Sequence, residues 1–599
     1  MYILAGGARE CYTKEKGGVT VEYRVIRSVE EIEPYLTALQ RARVMAVDTE
    51  TTGLDPHEHR LRLIQLAAPG IPALVIDCDG FLPKGAGLLS RLFGTDRVKA
   101  FQNAKFDLKF LWLRGITVKP PVFDTMLAGA LLRSSGGPRS VSLKTLAEYY
   151  LQEEVSKEER ETDWGGKLRE EQLAYAAKDA QITLRLREAM IPHLLRNRLK
   201  EIAKLEFDCV FAVAQMEYNG IFLDGEKWNA LTELTEKQLQ STLEQIYTYT
   251  GRPVAQTTLW GEEISAGLNL DSPKQVQEIL HAHGIETDAT SKQALNEYQD
   301  HPLVRALLEY RRASKYLNSF LKPIPLMRNP VTHRLHAHYG QIGAPSGRMS
   351  CGGPNIQQIP RERAFRECFA APKDRVLVIA DYSQIELRVA AEMAGDERMI
   401  AAYRAGEDLH RLTASLVSGK PMEQISKQER QAAKAINFGL IYAMGAKGLQ
   451  AYARQTYGVP MTLEQAELFR ARFFQAYTGI RAWHERIRRN PPRETRTLGG
   501  RKNTYPEGKI GISGMYNTPV QGSAADIAKR ALGLLSQRLE EDTLLIGMVH
   551  DEILLEAPKE RGEYTARLLK QTMEQAGAEF LRRVPVAADV SVSADWSGK

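Results

Sequence analysis

The sequence predicts an α/β chain built from several domains. Two short apolar runs rich in β-branched residues, Val44–Val47 and Val376–Ile379, read as buried strands that each deliver a carboxylate at the end, Asp48 and Asp381. Helical patterns follow the strands in both halves. The length of 599 residues gives a prior of roughly four average domains, or two or three large ones.

Composition narrows the function classes. The charge balance is mildly basic, +6 from 80 Lys+Arg against 74 Asp+Glu, so basic grooves for a polyanion can coexist with acidic metal sites. Cys11, Cys78, Cys209, Cys351 and Cys368 are scattered, odd in number and without a CxxC, which argues against a disulfide framework or a zinc site. No signal peptide and no run of about 18 apolar residues is present, so no membrane partner is expected and a cytoplasmic protein is.

Residues 1–20 are Gly- and charge-rich and read as a short leader. Strands are expected at Val44–Val47, Leu63–Ala67 and Ala73–Ile76, and helices at Phe106–Leu113, Leu143–Leu151 and Glu171–Leu186. Three acidic clusters punctuate this region. Strand alternation puts Asp48 and Glu50 of DTET on one side. Asp107 closes NAKFD, and Tyr175 and Asp179 stand four apart on one helix face. Each acid alone reads as a solvated surface residue. Together, four carboxylates and a phenol could hold two divalent ions and orient a water for phosphodiester hydrolysis.

Residues 197–330 read as mostly helical. One helix ends at Asn219-Gly220, another opens at Ser272-Pro273, and Leu303–Phe320 carries Arg305, Arg311, Arg312 and Lys315. That basic face suits a phosphate backbone or plain solvation equally. His336–Gln341 reads as a strand. Loops follow with Arg348, Asn355 and Gln357, donors and acceptors suited to base edges in a minor groove.

In the Val376–Arg388 stretch, Asp381 is either a metal ligand or a helix cap, because Asp-Tyr-Ser-Gln-Ile-Glu also fits a capping pattern. The rest of the chain decides between them, residues 427–445 and the acid Asp551 above all. Arg430, Lys434, Phe438 and Tyr442 recur every four residues and form one slowly winding helical stripe. Two cations then two rings suit a nucleoside triphosphate better than an incidental amphipathic face, and His410 could add a phosphate contact. Arg496–Tyr505 contains a Gly-Gly turn, and Asn517 and Gln521 open a helix running to about Leu539. Leu544–Glu556 reads as a hairpin with His550-Asp551-Glu552 at a strained, solvent-facing tip, which a shared sheet would bring beside Asp381.

These motifs resemble two known sets. DTET, NAKFD and YAAKD resemble the proofreading 3′–5′ exonucleases. DYSQIELR, RQAAKAINFGLIY and VHDE, with GRMSCGGPNIQQIP before them, resemble family A DNA polymerases of the bacterial type. The resemblance covers nearly the whole chain after residue 20, matches the large fragment, and leaves no room before Asp48 for a 5′ nuclease.

It implies an RNase H-like exonuclease domain at 21–196 followed by a right-hand polymerase: thumb at 197–330, palm at 331–408 and 510–599, fingers at 409–509. It implies that Asp48, Glu50, Asp107 and Asp179 hold metals, with Tyr175 orienting water. Asp381, Asp551 and the Tyr382 carbonyl would hold two Mg²⁺ per active site, with Mn²⁺ as a substitute and Glu552 counted with the catalytic acids. Lys434, Arg430 and His410 would grip the triphosphate, Lys434 counting as catalytic, while Phe438 backs the sugar and base. Glu386 and Tyr442 would close the space of a ribose 2′-OH, and Arg348, Arg501, Asn517, Gln521 and His550 would track the minor groove. The implied partners are primer-template DNA and dNTPs for a monomeric enzyme; an RNA template is a further option, and a single-subunit RNA polymerase a weaker alternative. Gln358 stands where relatives often have Asn, and Ala443 where a Gly usually follows the Tyr.

Overall fold

The structure is a computed structural model that describes residues 12–16, 19–153, 163–253, 267–505 and 511–598. The chain divides into two compact units. One comprises Met1–Gly220, His336–Gly352 and Val378–Val592; the other comprises Ile221–Leu335, Gly353–Leu377 and Ser593–Lys599. Among the described residues no helix is long and apolar enough to cross a membrane.

The first unit opens with a seven-stranded sheet of β1 (Tyr12–Lys16), β2 (Val19–Ile26), β3 (Val44–Thr51), β4 (Leu61–Ala67), β5 (Ala73–Asp77), β6 (Val98–Phe101) and β7 (Val122–Asp124), in the order β1-β2-β5-β4-β3-β6-β7. The expected leader is therefore too long: β1 pairs antiparallel with β2 at the sheet edge, and only residues 1–11 and 17–18 of it lie outside the described residues. β3 is held on both sides, antiparallel to β4 and parallel to β6, which fixes the strand that carries Asp48 and Glu50. Every residue of β4 is buried, Arg62 and Gln65 included, so both faces of the strand are covered. Helices α1 (Ala104–Leu113) and α2 (Glu170–Arg196) follow, and α2 packs on β3 and β4.

Helix α3 (Lys200–Asn219) ends at Gly220 as its sequence signals, with the Gly220 N–H bonded to the Met216 carbonyl at 3.1 Å. The sequence reading placed this helix in the thumb. It belongs instead to the first unit, because it buries residues on nearly every side, from Ile202 to Glu217, and packs along the long α7 described below.

The same unit holds a second sheet. Strands β8 (Arg375–Tyr382), β9 (Leu544–Val549), β10 (Glu552–Pro558) and β11 (Ala588–Ser593) lie in the order β9-β10-β8-β11. Around it stand α4 (Ile385–Ala394), α5 (Leu409–Ser418), α6 (Lys427–Leu440) and α7 (Ile512–Arg538). A capping box starts α6: Ser426 accepts from the Glu429 N–H, and the Glu429 carboxylate accepts from the Ser426 N–H.

The second unit has its own core. Ile246, Leu268, Val276, Leu280, Leu303 and Leu307 form one apolar cluster. Trp228 meets Phe365 and Phe369 edge-on and donates to the Leu321 carbonyl at 3.0 Å. Ser272 caps Pro273–Ala282 with Pro at the first turn, as expected. Of the basic residues on Pro302–Tyr316, Arg311 turns inward to the Thr290 carbonyl, while Arg305, Arg312 and Lys315 are exposed.

Candidate active sites

The first site is built on the central strand of the large sheet. Asp48 and Glu50 are half-buried on β3, Asp107 (2 % exposed) stands in the first turn of α1, and Asp179 (6 %) lies within α2. Thr49 Oγ1 donates to Asp107 Oδ1 at 2.7 Å and tethers α1 to β3. Burial pushes the Asp48 carboxyl well above the ordinary range, and the charges of Asp107, Glu50 and Asp179 push it further. Burial likewise pushes Asp107 up to about 8, against the lowering effect of the Thr49 hydrogen bond. The Tyr175 phenol is pushed far up by burial first, then by Asp179, to which it is hydrogen-bonded, and by Glu50 and Asp48. The three sequence motifs therefore lie in one place.

Among the described residues no three acids stand at finished coordination spacing. The donor set nevertheless fits divalent cations: hard oxygen ligands, crowded and partly desolvated, holding more negative charge than the site tolerates. Asp124 was missed by sequence reading. It is fully buried, caps Thr125–Leu132 through the Leu127 N–H at 3.0 Å, and accepts from the Ala104 N–H at 2.7 Å. It thereby anchors the start of α1 and with it Asp107. The available signal was an Asp directly before the apolar run TMLAGALL.

The second site is built on the smaller sheet. Asp381 is half-buried at the end of β8. The capping alternative fails, because the residue that caps α4 is Gln384, in the left-handed region at φ 57°. Asp551 is half-buried just before β10, the strand beside β8, and its charge reaches the Tyr382 phenol. The hairpin tip is strained, as expected: His550 is exposed with φ 61°. Glu552 departs from the expected solvent-facing tip, since it starts β10 and is buried.

The nucleotide stripe also differs from its reading as one helix. Arg430, Lys434 and Phe438 are half-buried on α6, but α6 ends at Leu440 and Tyr442 lies beyond it. The chain turns there through Ala443 at φ 60°, a conformation that favours Gly. The turn lets the Tyr442 hydroxyl donate to Glu386 Oε2, while Arg348 donates to Oε1 of the same carboxylate. Burial, then Glu386, pushes the Tyr442 phenol far up, and Gln521 of α7 hydrogen-bonds to it. Glu386, Tyr442, Arg348 and Gln521 thus form one cluster.

Arg430 pairs with Asp408 at 2.6 Å, and Asp408 caps α5, which carries His410. His410 is buried; desolvation, then the cations Arg430 and Lys434 against Asp408, lowers its pKa to about 4. Without a ligand the ring is therefore neutral at pH 7.

Arg501 is a correction. Expected in the minor groove, it is only 3 % exposed and is held by Asp526 at 2.7 Å and by Glu206. Its place on the turn between Glu494–Arg496 and Lys502–Thr504 aims it inward, against Gly347, where any Cβ would collide with the guanidinium. Asn517 and Gln521 lie half-buried in the first turns of α7. Asn355, Gln357 and the exposed Gln358 belong to the second unit, where Asn355 Oδ1 accepts from the Gln357 N–H at 3.1 Å and caps a short 3₁₀ turn.

Comparison with known proteins places both halves of the chain in known families. Residues 226–598 match the model of DNA polymerase family A, and residues 23–195 match that of a 3′–5′ exonuclease. DNA polymerase I of Aquifex aeolicus is 33 % identical over 96 % of this chain and 100 % of the relative. DNA polymerase I of Pseudomonas aeruginosa is 31 % identical over 96 % of this chain and 66 % of the relative, so this chain spans about two thirds of that protein. Among solved structures, the POL domain of Pol1 from M. smegmatis, in complex with DNA primer-template and dNTP, aligns with a TM-score of 0.79 and 25 % identity, over 96 % of this chain and 99 % of that one. The chain belongs to DNA polymerase family A and carries a 3′–5′ exonuclease domain.

Proposed function

We propose that the chain adds dNTPs to a primer 3′-OH on a DNA template at the Asp381–Asp551 site, and removes mismatched 3′ ends at the Asp48–Glu50–Asp107–Asp179 site. The observation that supports this most is the Glu386 cluster beside the Asp381 strand. One carboxylate is fixed there by Tyr442 and Arg348, which supports its closing the site against a sugar hydroxyl. Family A polymerases use divalent metal ions, and Mg²⁺ suits the oxygen donors of both sites. Asp381 and Asp551, with the Tyr382 carbonyl, are the ligands in the polymerase site. Divalent ions held there would supply acidification of the primer hydroxyl and neutralisation of charge on the triphosphate.

The chain's own residues do the rest. Lys434 and Arg430 bind phosphate oxygens from one face of α6, and Arg430 exchanges Asp408 for the ligand. Phe438 backs the sugar and base. Tyr442, held by Glu386, keeps the 2′ position closed. In the exonuclease site Tyr175 orients the attacking water through its phenol while the four acids bind the ions. Residues 221–335 serve as the thumb and α5 and α6 belong to the fingers. Arg348, Asn355, Gln357, Asn517, Gln521 and His550 are the residues proposed to follow the DNA.

Timed primer extension with matched and mismatched 3′ ends tests both activities at once. Extension of the matched end and trimming before extension of the mismatched end are expected; extension of neither would refute the reading. Glu386→Ala is expected to reduce discrimination against rNTPs by about 100-fold in kcat/KM ratio.

A further inference from the structure

Behind His410 lies a line of buried polar side chains that the sequence reading did not use. Asn437 sits one residue before Phe438 on α6 and is fully buried; so are Thr413 on α5 and Tyr477, which closes the helix Leu463–Ala476. Asn437 Nδ2 lies 2.9 Å from His410 Nδ1. Thr413 Oγ1 lies 2.9 Å from Asn437 Oδ1 and 2.7 Å from the Tyr477 hydroxyl. The His410 ring stands 5.9 Å from the Phe438 ring, on the stripe that faces the nucleotide.

This line can be drawn with its hydrogens running in either direction, and burial decides between them. In one, Tyr477 donates to Thr413, Thr413 to Asn437 Oδ1, and Asn437 Nδ2 to His410 Nδ1. Every link in the line is then made, and the ring hydrogen sits on Nε2. In the other, the Asn437 amide is turned over, so that its oxygen accepts from His410 Nδ1–H and its nitrogen donates to Thr413, Thr413 donates to Tyr477, and the chain ends on a Tyr477 O–H with no acceptor shown among the described residues. An unmet buried hydroxyl costs about 1–3 kcal/mol, so the first direction is the stable one. The phenol stays protonated because burial pushes its pKa far up, and the imidazole stays neutral at about 4.

We propose that Tyr477, Thr413 and Asn437 are positioning residues of the nucleotide site: their one-way hydrogen-bond chain holds His410 as the neutral Nε2–H tautomer, which presents a donor to a triphosphate oxygen. The proposal rests on the reading of His410 as a triphosphate contact. It explains why a neutral histidine serves in a pocket already carrying Arg430 and Lys434: it adds a donor with fixed direction without adding a third positive charge.

The test uses the full chain labelled with ¹⁵N-histidine, with His410 among the 12 histidines assigned from the signals lost in His410→Gln. An unprotonated Nδ1 and protonated Nε2 are expected. Thr413→Val keeps the shape and removes the relay hydroxyl; it is expected to mix the two tautomers and raise KM for dNTP about tenfold, with kcat changed by less than about threefold. Thr413→Ser keeps the hydroxyl and should stay within about twofold of the parent in both. Tyr477→Phe is a second, milder break and should move the same signals in the same direction. A protonated Nδ1 in the parent, or tautomer signals unmoved in both Thr413→Val and Tyr477→Phe, would overturn the relay. If the tautomer is as expected but His410→Gln leaves KM for dNTP unchanged, the reading of His410 as a triphosphate contact fails instead, and with it the relay's role in the nucleotide site.

Discussion

Two clusters of buried carboxylates in the first unit have opposite charge balance. Around Glu206 and Asp526, both 0 % exposed, Arg501 and Lys529 supply the matching cations: Lys529 lies 2.6 Å from Glu206, and Arg501 bridges both acids. Burial pushes both acids upward; at Glu206 Lys529 and Arg501 more than offset it and hold the carboxyl below its usual range, while at Asp526 burial outweighs Arg501 and Thr497, yet here the opposing neighbours are cations. Around Asp48 the arrangement is reversed: the neighbours that count are more acids, and protons are held too tightly. A fold closes an acid cluster with its own cations when the cluster is structural. It leaves the charge unmet where an outside cation is to be held.

The largest effect is expected where the balanced cluster is broken. Arg501→Leu leaves two buried acids short of a partner and should cost about 3–5 kcal/mol in denaturant unfolding. If Arg501 instead tracked DNA, the loss would show in primer binding and not in stability. Next, Asp48→Ala should lower removal of a mismatched 3′ end by at least about 100-fold while leaving matched extension intact.

The pH dependence separates the clusters more finely. Asp107 has a folded pKa of about 8, above its unfolded value of 3.8, so the stability it lends is complete below about pH 4 and is lost as pH rises through 8. Asp107→Asn keeps the oxygen that accepts from Thr49 and removes the charge. Without divalent cation it should raise Tm at pH 8 and leave it nearly unchanged near pH 4; with excess Mg²⁺ the gain at pH 8 should vanish. The same scan on Arg501→Leu should show no rescue by Mg²⁺. The smallest effect lies outside both clusters: Ala443→Gly relieves a left-handed alanine and should stabilise by about 1 kcal/mol in thermal unfolding.

What the sequence showed depended on how local the signal was. Asp48 and Glu50 at a strand end, the helix stop at Gly220 and the Ser272 cap each rest on a few consecutive residues, and the structure has them there. Arg501 could not be read correctly, because its partner Glu206 lies 295 residues away and Asp526 25 residues away; only the packing of α3 along α7 joins them. Tyr442 followed the helical period in sequence but not in space, because a four-residue repeat does not reveal that α6 stops at Leu440. β1 was hidden by its composition: charged residues at a sheet edge look like a leader until a partner strand is seen.

Asp381 with Asp551 and the Asp48 group are proposed as two separate catalytic sites of one chain. The most direct measurement is timed turnover of a mismatched primer-template by the parent, Asp381→Ala and Asp48→Ala. Asp381→Ala should trim without extending, and Asp48→Ala should extend a matched end without trimming the mismatch. Loss of both activities in either variant, in a protein that still folds, would contradict two separate sites.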